Sequence, residues 1–100
     1  MRTKLAVLFD LKPGKLYVFK RTKNIHTTID QISFSVDGSR IVEVSHVNLG
    51  VPVVYLKNEM GDFFERAKFL LPSGVVGKIT IMYMHELRNR FGIKLYEVLR

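Results

Sequence analysis

QISFSVDGSRIVEVSHV, residues 31 to 47, sets two runs rich in Ile, Phe and Val on either side of Asp37-Gly38. Asp-Gly between alternating apolar runs is a strong hairpin signal, because glycine supplies the positive φ that a tight turn needs. Two antiparallel strands are therefore expected. Two registers compete. A two-residue turn at Asp37-Gly38 sets Phe34 opposite Ile41 but Ile32 opposite Glu43. A three-residue loop ending at Ser39 sets Phe34 against Val42 and Ile32 against Val44. Burying one face favours the second, with a bulge near Arg40 reconciling turn and pairing.

Upstream of this unit, the apolar run LAVLF begins at Leu5, Lys12-Pro13-Gly14 follows, and a second run, KLYVFKRTK, begins at Lys15. Proline then glycine at the centre of a turn suits type II geometry, which predicts a hairpin between the two runs. In the second, Tyr17, Phe19 and Arg21 share one face. Asn24 to His26 is a break. Downstream, Asn48-Leu49-Gly50 closes the central hairpin and Val51 to Lys57 reads as a strand, Pro52 being tolerated near its start. Asp62 to Leu71, DFFERAKFLL, carries apolar residues at helical spacing and an Asp62/Glu65 pair like a capping box, so a short helix is expected there. Pro72-Ser73-Gly74 ends it. A strand start around Ile79, a helix from about Ile81 to Phe91 closed by Gly92, and a terminal strand from Ile93 to Leu99 complete the chain. The expected fold is α+β, a mostly antiparallel sheet of five or six strands with one or two packed helices.

At 100 residues the chain is expected to be a single domain with room for one site. Cysteine is absent, which excludes a disulfide framework, a thiolate nucleophile and a Cys-based zinc site. The apolar run after Arg2 and Lys4 is too short for a signal-peptide core or a membrane span, so a cytoplasmic protein with no membrane partner is expected. Net charge is +7 and unevenly spread. Residues 1–30 carry seven Lys or Arg against two Asp, residues 31–60 two against three acids, and residues 61–100 seven against four. Such an excess points to a polyanion or an acidic protein surface as partner.

Tyr17, Phe19, Lys20, Arg21 and Lys23 form the most informative surface candidate. Rings beside cations on a sheet can stack bases while the cations neutralise phosphates. Arg88 and Arg90, with Lys94 after the helix, make a second basic cluster, although cations at a helix carboxyl end also have a purely structural use. The histidines give a weaker signal. His26, His46 and His85 lack a positioned partner at helical or metal-ligand spacing, and His85 and Glu86, adjacent on a helix, do not face each other. No phosphate-cradling glycine loop, GxSxG or paired-carboxylate spacing is present, so the balance is against an enzyme, and neither cofactor nor metal is expected. Met60, Met82 and Met84 read as core filling.

The lack of Cys and Trp, the abundance of Ile, Val, Tyr, Lys and Arg, and the small size resemble small orphan proteins of viruses that infect hyperthermophilic archaea. Lys68 to Val76, KFLLPSGVV, followed by a helix and a closing strand, is similar to the carboxyl-terminal part of small viral ring nucleases that degrade cyclic oligoadenylate. That family's catalytic histidine follows a glycine at a helix start, whereas His46 follows Ser45 in an expected strand. Other small proteins of these viruses bind single-stranded DNA as dimers, which the basic aromatic strand would suit. The leading expectation is a nucleic-acid-binding protein, single-stranded DNA or RNA its ligand and homodimer its form. An interaction module or viral inhibitor for an acidic protein surface comes second and a small nuclease third.

Overall fold

The computed structural model describes residues 1–22, 28–37, 42–61 and 63–99. Along them run β1 (Arg2–Leu5), β2 (Leu16–Arg21), β3 (Gln31–Asp37), β4 (Val42–Asn48), β5 (Val53–Met60), β6 (Glu65–Leu70), β7 (Val76–Thr80), α1 (Ile81–Phe91) and β8 (Ile93–Leu99). All the strands join one sheet in the order β1-β8-β2-β5-β6-β7-β3-β4, every pair antiparallel. The fold is α+β, with eight strands in place of five or six.

Three local expectations are corrected. Glu65–Leu70 is a strand rather than part of a helix: β6 is laddered to β5 on one side and β7 on the other, and Ala67, Phe69 and Leu71 alternate into the core. A segment this short gains little from isolated helix, so pairing on both edges decides. The turn at Lys12-Pro13-Gly14 forms, with Lys15 N–H donating to Lys12 O at 3.2 Å and Gly14 at φ 81°. The hairpin does not. β1 pairs with β8, Arg2 facing Leu99, and β8 stands between β1 and β2. Finally, the β3–β4 register is neither of the two expected. Ile32 faces Val47, Phe34 faces Ser45 and Asp37 faces Val42. This register gathers Ile32, Phe34 and Val47 in the core and leaves Val44 exposed on the opposite face. The bulge expected near Arg40 lies outside the described residues.

The short link between β4 and β5 shows that the sheet curls. Val51 N–H donates to Asn48 O at 3.2 Å, and Gly50 N–H donates to Phe19 O of β2 at 2.8 Å. In the strand order β4 and β2 stand five places apart, which in a flat sheet is about 24 Å. Two residues from Asn48 to Gly50 span at most about 7 Å. The sheet must therefore roll up until its β4 end returns to β2, and one face becomes an interior.

That interior holds an aromatic cluster. Phe19, Phe34, Phe69 and Tyr55 meet edge to face with centroids 5.6–6.4 Å apart, joining strands that are distant in the order. Gly77, opposite Phe69 in the β6–β7 ladder, makes room for it: a Cβ there would stand 2.7 Å from Phe34 Cβ and 2.8 Å from Leu71 Cδ1. Helix α1 lies against β6, β7 and β8 and buries Ile81, Met84 and Leu87 in the same core. Its span and its close at Gly92 are as expected. Thr80 Oγ1 accepts the Tyr83 N–H at 3.1 Å, and Gly92, at φ 63°, donates its N–H to Leu87 O. Of the methionines expected in the core, only Met84 is there; Met60 and Met82 are exposed.

Candidate nucleic-acid interface

Strand β2 was expected to offer its rings to a ligand. It does not. Tyr17 and Phe19 are 2% and 3% exposed, because β2 is flanked by β5 and β8 and its Tyr17–Phe19 face turns into the rolled sheet. The Tyr17 hydroxyl accepts the Lys12 N–H at 2.8 Å, and its ring meets Tyr55 edge on at 6.3 Å. Burial raises the pKa of both phenols above 10. Neither ring is open to stack on a base.

The cations of the same strand stay at the surface. Lys20 points to the outer face, where its Nζ donates to Thr3 Oγ1 at 2.8 Å and sits 4.5 Å from the Tyr96 ring centroid. Arg21 is exposed and donates through Nε to Ile29 O at 3.1 Å. Lys23 lies outside the described residues. The second cluster is brought to the same end of the molecule. Thr22 N–H and Oγ1 bond to Gly92 O at 2.8 and 3.2 Å, fastening the end of β2 to the end of α1 and the start of β8. Lys20 consequently faces Lys94 directly, and Arg21 faces Ile93. Arg88 is half-buried beside Met84 and Lys94 around a small crevice. Arg90 is exposed, paired with Glu86 at 2.8 Å and near the Phe91 ring. An open cleft of about 570 Å³ beside Lys20 and Arg21 is completed by Asp30, Asn48, Leu49 and Gly50. Two cationic clusters far apart in the sequence are thus one basic end.

A second basic surface had no counterpart in the sequence reading. On the outer face Lys57 of β5 stands opposite Lys68 of β6, which stands opposite Lys78 of β7, the last of them buried. Like charges in direct register destabilise a sheet unless something neutralises them. Glu59 does part of this, reaching Lys78 at 3.1 Å, and the Lys78 ammonium bonded to it holds its carboxyl below the usual range against the opposing effect of burial. Among the described residues Lys57 and Lys68 have no ion pair. The three lysines are 11 and 10 residues apart in the chain, a spacing that matches no motif; only the correct register would have revealed the row.

The histidines are engaged in small contacts. His46 Nδ1 is 3.0 Å from Ser33 Oγ on the outer face, and the His85 ring lies 5.6 Å from Phe9. His26 lies outside the described residues. Among the described residues no three His, Asp or Glu side chains are grouped as a metal would require, and no helix is long and apolar enough to cross a membrane. No family model matches the chain, and neither the curated proteins nor the solved structures contain a significant match.

Proposed function

We propose that the protein binds nucleic acid through its phosphate backbone, with Lys20, Arg21, Lys94, Arg88 and Arg90 as the primary contacts. The observation that carries this reading is the Thr22–Gly92 junction, which brings these five cations from two distant stretches of chain to one end. Arginine side chains suit phosphate because their fork donates two parallel hydrogen bonds, and the exposed Glu86–Arg90 pair is weak enough to yield to it. Backbone contacts of this kind give salt-dependent, sequence-tolerant affinity. With Lys20→Glu and Arg21→Glu together, binding to labelled oligonucleotides should be abolished. Unchanged affinity in that variant would overturn the assignment.

A second reading rests on β4. It ends the sheet, pairs only with β3 among the described residues, and carries no Lys, Arg or Pro along its seven residues. Such an edge accepts an added strand from a partner protein or from a second copy of the chain. Recovery of one defined partner after nuclease treatment, lost on Val44→Pro, would favour this reading over the first.

A further inference from the structure

The β5–β6 hairpin ends in an apolar tip. Met60 and Glu65 form its last ladder pair, and Gly61 N–H donates to Phe64 O at 2.9 Å across the turn. Phe63 is 87% exposed, Met60 75% and Phe64 50%. Three large apolar side chains held out together at a turn cost solvation with no return from the core, so the tip is built to meet something. Behind it, on the outer face, come Arg66, Lys57 and Lys68, with Lys78 next to Lys68. The lysine row is three residues from Met60 along β5, or about 10 Å. Among the described residues the carboxylates nearby are engaged: Glu59 by Lys78, and Glu65 by Asn58 Nδ2 at 3.0 Å. Asn58 is itself fixed by the Tyr55 hydroxyl at 2.7 Å, which ties the hairpin arm to the core.

We infer that this hairpin is a wedge for nucleic acid: Phe63, Phe64 and Met60 enter between neighbouring bases while Lys57, Lys68 and Arg66 hold the phosphates on the approach. The inference rests on the nucleic-acid reading above and adds a base-contacting element to it. Apolar side chains inserted at a base step unstack it and kink the duplex, and exposed rings also stack on the bases of a single strand. Charge favours this occupant, since among the described residues the outer face of the arm shows Arg66, Lys57 and Lys68 to the approaching strand, and Glu59 beside them is paired with Lys78. A bilayer fits less well. Burial of the tip to the acyl boundary, about 5–10 Å deep, would carry Glu65, in the last ladder pair, into apolar surroundings, whereas a base step takes in only the rings at the point.

The test uses the full chain and oligonucleotides with 2-aminopurine at the centre, single-stranded and duplex, the duplex also carrying a donor and acceptor dye at its ends. Binding should raise 2-aminopurine emission and bring the duplex ends closer. Phe63→Ser with Phe64→Ser should abolish both signals and weaken binding about tenfold or more, with the salt slope unchanged. Lys57→Gln with Lys68→Gln should instead lower the slope by about 2 and keep the emission change at saturation. Circular dichroism identifies any variant that fails to fold, and Phe63→Leu with Phe64→Leu, which keeps the apolar bulk, should restore the bend. Binding without a change in emission or end distance overturns the wedge and leaves the basic end standing. Absence of any binding by the unaltered protein overturns both. Capture by phosphatidylserine vesicles that is lost in the serine variant, without an emission change on DNA, assigns the tip to a membrane and overturns the wedge as well.

Discussion

Two aromatic pairs in this protein lie beside cations, and their fates are opposite. Tyr17 and Phe19 sit on a strand with neighbours on both sides and a face rolled inward, so they become core. Phe63 and Phe64 sit beyond the last ladder pair of a hairpin, where no second layer of the described residues covers them, and they are exposed. The difference teaches that an aromatic's availability to a ligand follows from the position of its segment in the sheet. Cations next to it do not decide the matter.

The sharpest way to break this contrast is to truncate a ring on each side of it. Phe34→Ala or Phe69→Ala removes a fully buried ring from the edge-to-face cluster and should cost about 3–5 kcal/mol in urea unfolding, a large share of the stability of a small domain. Phe63→Ala should change stability by no more than about 0.5 kcal/mol. A comparable loss at both positions would mean that the hairpin tip is packed against something. Gly77→Ala probes the interior from the other direction, by overfilling it. Its Cβ would collide with Phe34 and Leu71, and about 1–3 kcal/mol should be lost. Thr80→Ala, which removes the cap of the helix that covers the rolled sheet, should cost about 1 kcal/mol.

A smaller effect separates the outer face from the inner by pH. Glu59 has its pKa lowered by the Lys78 ammonium, so its contribution to stability is present above the ordinary carboxylate pKa of about 4.3 and is lost as pH falls through the lower folded value. Glu59→Gln should flatten the acid limb of a melting-temperature profile. The buried phenols act at the other limit. Tyr17 and Tyr55 have raised pKa values, so their share is complete below about pH 10 and is lost as pH rises through the folded values. Tyr17→Phe and Tyr55→Phe should each reduce alkaline unfolding. An acid limb unchanged by Glu59→Gln would place the lysine row outside the stability of the sheet.

Legibility of the fold in the chain depended on how local its determinants were. Helix α1 and strand β8 were readable, because Gly92 terminates the helix by a short-range hydrogen bond and Ile93 and Leu95 alternate into the core directly after it. The Pro13-Gly14 turn was equally local, but the partner of β1 was not: β8 lies at the opposite end of the chain, and nothing near Leu5 announces it. β6 was misread for the same reason, since its identity comes from β5 and β7 flanking it. Of the cations of the basic end Arg21 and Arg90 are exposed and Lys20, Arg88 and Lys94 half-buried, and their union across Thr22 and Gly92 needed the fold. The lysine row and the exposed tip required both the register and the strand assignment of Glu65 to Leu70, so neither was visible in sequence.

The most direct test of the central claim is fluorescence anisotropy of labelled single-stranded and duplex oligonucleotides titrated with the protein at several salt concentrations. The account predicts micromolar or tighter binding whose log affinity falls linearly with log salt, a slope reporting several phosphates, and loss of binding on Lys20→Glu with Arg21→Glu. No binding at low salt, or binding indifferent to both salt and those two residues, would contradict it.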